Sequence, residues 1–295
     1  MQKRSITNVQ FAWLLIAPSL IILTLVVFYP LTKTLITSFQ KYDLTSPSDL
    51  LKFMGLKNYR SVILNGAFLD RFLITIKYSI GVVTGQFVLG MLFAVILNQN
   101  IKGRPLFRAI FLMPWVIPTV VCALLWTWVL NVQYGAFNFV LRRLGVINEF
   151  RHWLGDPSLA LYTVIGVTIW KWFPFDFVML LAGLQTVPPE LLDAASVDGA
   201  GNFRKYLHVT LPSIRNIIVV VLMLTLIWSF QEFTMIWGTT KGGPMNVTST
   251  LTIHIYRTAF DYFRMGHASA TGVLWMIFLL GFSIFSVRMG FRELT

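Results

Sequence analysis

The chain has 295 residues, of which 56% are hydrophobic and only 12% are charged. A soluble globular domain carries about 25% charged residues, so this composition excludes a soluble protein. The formal net charge is +12, but the basic residues are spread over many short connections and form no basic helix. They therefore favour contact with anionic lipid head groups over nucleic-acid binding.

Six long apolar runs, four of them without any charge, predict six transmembrane helices. Each of four runs reaches the roughly 20 residues that a helix needs to cross the bilayer, and in lipid such runs must be helical to satisfy their backbone. Two further apolar runs are interrupted by charge, one by Lys171 and Asp176 and the other by Glu232. The predicted spans are 11–36, 72–98, 107–131, 158–184, 216–237 and 267–288. The sequence thus predicts an all-α membrane protein with one transmembrane domain over residues 1–295.

The first span follows Lys3 and Arg4, as a secretory signal peptide would. It is too long for the apolar region of such a peptide and precedes further spans, so we expect a retained signal anchor. The single cysteine, Cys122, lies in the third span, and the four histidines are scattered. No grouping has metal-ligand spacing, so no metal site is predicted.

The orientation follows from the density of positive charge. The tightest loop, "NQNIKGRPLFR" (98–108), holds three cations and no acid. Because short loops rich in Lys and Arg stay in the cytoplasm, both termini are predicted to be cytoplasmic.

The most polar segment, 185–215, then becomes a cytoplasmic loop. In "VPPELLDAASVDG", a proline stands at the permitted first helical position, and the acids Glu190 and Asp193 lie near the positive end of the helix dipole. Gly199 is placed to close this helix. Small residues give the helix a flat surface that another backbone can approach closely.

A second short helix is predicted directly after the first. Asn202 is placed to cap the turn "FRKYLH". Pro212 is placed to open the fifth span.

The same loop resembles the signature of binding-protein-dependent ABC importer permeases, which reads E-A-A, three residues, G, nine residues, I-x-L-P. It falls on Asp193-Ala194-Ala195, Gly199 and Val209-Thr210-Leu211-Pro212, with Asp193 in place of glutamate and Val209 in place of isoleucine. Three stretches are similar to the sugar-uptake branch of that family: "FMGLKNY" (53–59), "DGAGNFRKYLHVTLP" (198–212) and "TKGGPMNVTSTLTIHIYRTAF" (240–260).

This resemblance implies that the loop forms a coupling helix that docks on a separate ATPase subunit. The residues implied in coupling are Glu190, Asp193, Ala194, Ala195, Asp198, Gly199, Leu211 and Pro212. The chain has no Walker A sequence, so ATP and magnesium are expected on the partner ATPase, and this chain is expected to be neither an enzyme nor a cofactor binder. The implied partners are a second homologous permease, two ATPase subunits, an extracytoplasmic solute-binding protein and a saccharide, at a bacterial inner membrane.

Charges at membrane depth mark a candidate substrate pathway in "WKWFPFDF" (170–177). Placing a charged side chain such as Lys171 or Asp176 in lipid costs free energy, and such residues usually face a cavity or a partner. Trp170 and Trp172 could stack on sugar rings, and Pro174 predicts a kink or opening of the helix. Alternatively, Lys171 and Asp176 neutralise each other across that kink or pair with a neighbouring subunit, while the tryptophans pack on lipid. The lysine and the basic outer loops hint at an acidic saccharide.

A second candidate lies in "WSFQEF" (228–233), where Trp228, Gln231 and Glu232 could contact substrate or hold helices together. Because adjacent helical residues point in different directions, at most one of Gln231 and Glu232 should face a cavity squarely. "GVVTG" (81–85) has the Gly-x-x-x-Gly spacing of close helix packing. Trp126 and Trp128 are expected to be packing or interfacial residues.

Two other classes of function stay open. A secondary carrier or channel driven by an ion gradient predicts internally repeated halves, and the chain shows no convincing repeat. A membrane-embedded enzyme predicts a catalytic group at membrane depth, for which only Lys171, Asp176 and Glu232 are candidates.

Overall fold

The computed structural model describes residues 8–46 and 50–292 and is helical over most of their length. Lys3 and Arg4, the basic flank of the first span, lie outside the described residues. The α-helices are α1 (Asn8–Leu23), α2 (Tyr29–Ser38), α3 (Lys57–Leu64), α4 (Ala67–Asn98), α5 (Arg104–Val116), α6 (Thr119–Val129), α7 (Ala136–Arg143), α8 (Ala160–Leu184), α9 (Pro189–Val197), α10 (Asn202–Lys205), α11 (Leu211–Ser213), α12 (Arg215–Phe230), α13 (Thr234–Thr239), α14 (Leu251–Phe260) and α15 (Met265–Arg292). π-Helical turns at Thr24–Phe28 and Tyr206–Thr210 join α1 to α2 and α10 to α11.

Four helical segments are long and apolar enough to cross a membrane. They are Phe11–Ser38, Ala67–Asn98, Ala160–Leu184 and Met265–Ser286. They coincide with the first, second, fourth and sixth predicted spans, so a continuous apolar helix is present at each of those four positions. Two further segments are pairs of helices joined at a sharp bend, and the described part of the chain has six spans only if each bent pair counts as one.

The third predicted span, 107–131, is not one helix. It consists of α5 and α6, whose axes are bent by 96°. Ile117 is extended (φ −66°, ψ 129°), as expected for a residue that precedes a proline. Pro118 has no N–H to continue the hydrogen-bond ladder, so the helix ends there and restarts at Thr119.

The fifth predicted span, 216–237, also differs. Its helix α12 ends at Phe230, and residues 231–233 form a non-helical turn before α13. A bend of 69° separates the segment Asn202–Ser213 from α12. Pro212 therefore lies in the short helix before the bend and does not open the span, which corrects that prediction.

Helix α8 runs unbroken from Ala160 to Leu184 through Pro174. The predicted opening at this proline is therefore wrong. The pairing of Lys171 with Asp176, which depended on that opening, is also absent, because both Asp176 oxygens lack a hydrogen-bond partner and Lys171 bonds elsewhere.

Glycines bring α4 and α8 into close contact. A methyl group on Gly81 would lie 3.0 Å from Ile165 Cδ1, and one on Gly85 would overlap Ile169. The close packing predicted for "GVVTG" is thus confirmed. One further α4 glycine, Gly90, sits so near α8 that a methyl group there would lie 2.7 Å from Asp176 Cβ.

The chain divides into two compact units, the first formed by the described residues of Met1–Phe68 together with Ile255–Met276. In this unit a two-stranded antiparallel hairpin pairs β1 (Gln40–Lys41) with β2 (Lys52–Phe53). The side-chain amide of Asn58, in the "FMGLKNY" stretch, donates to the Ser38 and Gln40 carbonyls at 2.8 and 2.9 Å. It thereby ties the end of α2 to the hairpin.

The second unit is formed by Leu69–His254 with Ile277–Thr295, of which 293–295 are not described. Its largest apolar cluster joins α4 to α8. The buried residues of this cluster are Met91, Ala94, Leu97, Phe173, Phe177, Leu180, Leu181, Leu184 and Ile214. The coupling loop and the cavity described next both belong to this unit.

Candidate transport cavity and coupling loop

A cavity of about 400 Å³ lies among α4, α6, α8 and α12. This volume is within the range of small-molecule sites. It is lined by Val82, Gln86, Thr119, Thr168, Trp172, Thr225, Trp228, Ser229, Gln231, Glu232, Phe233 and Thr234. Three aromatic rings and several neutral hydrogen-bonding side chains dominate this lining, and Glu232 is its one ionisable group among the described residues.

Four of the seven candidate pathway residues line the cavity: Trp172, Trp228, Gln231 and Glu232. Gln231 and Glu232 both reach it because α12 ends at Phe230 and the next residues turn. The expectation that at most one of them faces a cavity squarely assumed a continuous helix, and the helix is not continuous at 231–233. Glu232 also accepts a hydrogen bond from the Met235 backbone N–H at 2.9 Å.

Lys171 does not line the cavity, although its neighbour Trp172 does. Its Nζ donates to the carbonyls of Pro114 (2.9 Å), Trp115 (2.9 Å) and Ile117 (2.6 Å) at the break between α5 and α6. The side chain is 2% exposed.

Trp170 and Asp176 also lie away from the cavity. Trp170 packs edge-on against Trp126, with ring centroids 5.3 Å apart, inside an apolar cluster with Cys122, so the packing role expected of Trp126 is confirmed. Asp176 is 0% exposed and its carboxylate has no hydrogen-bond partner. Trp170 and Lys171 point about 160° and 100° away from Trp172 around α8, so both leave the face that meets the cavity. Asp176 shares the face of Trp172 by its spacing, but it lies one turn farther along the helix, packed against Gly90 of α4.

Sequence reasoning missed several lining residues, although a signal was present. Thr168 and Trp172 are four residues apart, and so are Thr225 and Ser229. Hydrogen-bonding side chains at helical spacing inside an apolar span share one face. That periodicity would have identified Thr168, Thr225 and Ser229, and with them the cavity side of α8 and α12.

A helix is present where the coupling helix is predicted, as α9. Its first residue is Pro189, and Gly199 adopts the left-handed conformation (φ 79°). The Gly199 N–H bonds the Ser196 carbonyl at 3.1 Å, and the Ala200 N–H bonds the Ala195 carbonyl at 2.9 Å. This pair of bonds is a Schellman motif, which needs a left-handed residue at the position of Gly199.

The surface of the coupling loop is open. Glu190, Asp193, Ala194, Asp198, Gly199 and Pro212 are exposed, and Ala195 and Leu211 are half-buried. Two apolar side chains beside them are also uncovered, Val197 at 89% and Phe203 at 73%. Exposed apolar groups of this kind mark interaction surfaces.

The second helix of the loop, α10, begins at Asn202. Its N-cap is Gly201, without a side-chain cap, so the predicted capping role of Asn202 is wrong. Lys205 Nζ donates to Ser196 Oγ at 2.8 Å and ties α10 to α9.

Comparison with known proteins places this architecture in a family. The model of the binding-protein-dependent transport system inner membrane component matches residues 86–292. The chain is 33% identical over 291 residues to the trehalose/maltose transport system permease protein MalF of Thermococcus litoralis, covering 98% of this chain and 96% of the relative. It is 34% identical over 265 residues to the sulfoquinovosyl glycerol transport system permease protein SmoG of Agrobacterium fabrum, covering 89% and 84%.

The fold is similar to that of a chain in the crystal structure of a bacterial ABC transporter that imports the acidic polysaccharide alginate. The TM-score is 0.83 at 23% identity, over 97% of both chains. The chain therefore belongs to the family of binding-protein-dependent transport system inner membrane components and is a multi-pass permease of an ABC importer.

Proposed function

We propose that this permease forms half of the pathway for an uncharged saccharide that an extracytoplasmic binding protein delivers. The observation that carries the proposal is the lining of the 400 Å³ cavity. Its aromatic rings offer flat apolar surfaces for the C–H faces of a sugar, and its amide and hydroxyl groups can pair with sugar hydroxyls. One relative is named for the neutral sugars trehalose and maltose and another for the anionic sulfoquinovosyl glycerol, so the lining of the cavity, and not the names, carries the choice of an uncharged sugar.

The charge of the cavity argues against an acidic sugar, contrary to the hint taken from Lys171. Glu232 is the one ionisable group in the described lining, so the cavity offers no cation to pair with the carboxylate of an acidic sugar. The three N–H groups of the Lys171 ammonium are each directed at a backbone carbonyl, so none is left to pair with a carboxylate.

The proposed coupling element is α9, with the residues Glu190, Asp193, Ala194, Ala195, Asp198, Gly199, Leu211 and Pro212 around it. Its exposed, flat and partly apolar surface supports docking on a separate ATPase subunit, which would hold the ATP and magnesium. A second, homologous permease would supply the other half of the pathway, and both termini would lie in the cytoplasm of a bacterial cell. Closure of two ATPase subunits on ATP would then move the two coupling helices together and turn the cavity outward.

The alternative, a carrier driven by an ion gradient, gives α9 no role. Under that alternative, the exposed Val197 and Phe203 would face water at an energetic cost and without function.

The test is reconstitution of the chain in proteoliposomes with the permease, ATPase and binding protein encoded beside it. We expect uptake of radiolabelled maltose or trehalose that requires ATP on the side of α9. Uptake by the permeases alone under a proton or sodium gradient would overturn the proposal. Delivery of digalacturonate in place of both neutral sugars would overturn the assignment of substrate class alone.

A further inference from the structure

At the break between α5 and α6, backbone carbonyls lose the N–H donors that a continuous helix would give them. In a continuous helix the Pro114 carbonyl would accept from the N–H of residue 118, but Pro118 has none. The carbonyls of Trp115 and Ile117 also lie at the point where the chain turns by 96°. Unsatisfied carbonyls are costly at membrane depth, so a break of this kind needs donors from another element.

One side chain of α8 supplies all of these donors. Lys171 Nζ lies 2.6–2.9 Å from three carbonyl oxygens, and an ammonium group carries three N–H donors, one for each. A neutral amine has only two, so the set of three acceptors matches the charged form. The Nζ atom also lies 4.9 Å from the centroid of the Trp172 ring, where a cation is attracted by the ring face.

On each side of this contact, a residue close by in sequence lines the cavity. Thr119 is the first residue of α6 after the break, and Trp172 follows Lys171 on α8; both line the cavity. The three hydrogen bonds therefore hold the start of α6 against α8 at this level, in addition to the packing of Trp126 on Trp170.

We propose that Lys171 is a positioning residue that fixes the bend between α5 and α6 and thereby places Thr119 and Trp172 for substrate. It does not contact the sugar. This role rests on the proposed function of the cavity, because it concerns the same wall.

The experiment compares Lys171→Met, Lys171→Arg and Lys171→Ala in the assembled transporter, with Gly166→Ala as the control on the same helix. A methyl group on Gly166 meets nothing within 4 Å. Hydrogen–deuterium exchange of peptides covering 112–121 reports the bend directly, and uptake kinetics report KM and kcat for the radiolabelled sugar.

We expect Lys171→Met to raise exchange in 112–121 by about tenfold or more, because it removes three hydrogen bonds to a charged group. The KM should rise and kcat should change less. Propylammonium carries the carbons and the charge that Lys171→Ala removes, so adding it should restore both exchange protection and KM. The control variant should behave as the unmodified chain.

Unchanged exchange in Lys171→Met together with weaker uptake would overturn the proposal and leave the cavity assignment intact, since Lys171 would then act on the sugar itself. Faster exchange with an unchanged KM would contradict the cavity as the pathway. If Lys171→Met does not assemble, Lys171→Arg decides: its planar donors cannot match three carbonyls around one nitrogen. Exchange of 112–121 in that variant at the unmodified rate would overturn the proposal.

Discussion

Gly199 offers a sharp test of the coupling proposal, because its contribution is confined to the backbone. Its φ of 79° is left-handed, and a methyl group there would meet nothing within 4 Å. Gly199→Ala therefore adds no clash and leaves only the cost of a left-handed alanine, about 1–2 kcal/mol. A cost of this size lowers the ratio of the capped to the frayed form of α9 by about 5- to 30-fold.

A matched control lies two residues away. Gly201 also has open space around it, but its φ is −67°, which any residue adopts. Gly201→Ala therefore adds no left-handed strain, and it should cost less than Gly199→Ala because only the N-cap preference of α10 for glycine over alanine is lost. Gly199→Asn should retain more function than Gly199→Ala, because asparagine tolerates the left-handed region better than other residues with a β-carbon.

The assay is sugar-stimulated ATP hydrolysis and sugar uptake by the reconstituted transporter, with co-purification of the ATPase subunit as a second readout. Gly199→Ala should insert normally and lose most of the stimulation. Full stimulation in Gly199→Ala, or equal losses in Gly199→Ala and Gly201→Ala, would refute the argument that a capped α9 transmits the movement.

Three further variants test the packing and the cavity. Gly85→Ala should destabilise the purified protein by about 1–3 kcal/mol through overpacking against α8, and so lower its thermal midpoint. Gly166→Ala should leave the midpoint unchanged. Equal midpoints for the two variants would contradict the close packing. Trp172→Leu should raise the KM for sugar about five- to tenfold through loss of an aromatic contact, whereas Trp170→Leu should leave the KM unchanged; the reverse order would move the pathway to the other face of α8. Asp176→Asn should keep normal uptake, because its carboxylate neither lines the cavity nor has a hydrogen-bond partner, and a loss of transport would return this residue to the pathway.

Local rules made part of this structure predictable. A run of about 20 uncharged residues has few alternatives to a membrane helix, so the first, second and sixth spans could be placed from the absence of charge alone. The third uncharged run is nevertheless broken, and the fourth span is continuous although it carries Lys171 and Asp176. The start of α9 at Pro189 and its end before Gly199 follow from the backbone preferences of proline and glycine. These features depend on a few consecutive residues, and the sequence displays them directly.

The helix breaks depend on tertiary contacts, which hydropathy does not report. Pro118 ends a helix while Pro174 does not, although both stand in apolar spans. At Pro118, donors from Lys171 satisfy the freed carbonyls in a bent geometry. The turn at 231–233 contains neither glycine nor proline, so its local sequence carries no breaker signal.

The candidate pathway residues were only partly predictable for a related reason. Charge and aromatic character identified 170–177 as unusual, but they could not decide which face of α8 meets the cavity. The spacing of Thr168 and Trp172 contains that information. Charge alone did not distinguish Lys171, which donates to backbone carbonyls, from Asp176, whose carboxylate has no hydrogen-bond partner.

Two charged side chains within the spans, Lys171 and Glu232, bond backbone groups that a helix break leaves without partners. The sign of each charge follows from the helix end at the break. At the end of α5, carbonyls lack donors, and the cation of Lys171 supplies them. At the start of α13, N–H groups lack acceptors, and the anion of Glu232 accepts from one of them. This is the pairing of charge with helix terminus that the helix dipole favours.

Both breaks border the cavity, through Thr119 at one and Gln231–Phe233 at the other. Irregular backbone at membrane depth is tolerated where it lines protein or water, and here the places where the helices are interrupted form part of the wall of the cavity proposed as the pathway. Asp176 has no such break beside it, since α8 is continuous there. The two charges that lie next to broken helices thus border the proposed pathway, and we expect Lys171 and Glu232 to tolerate only substitutions that keep their donors or acceptors in place.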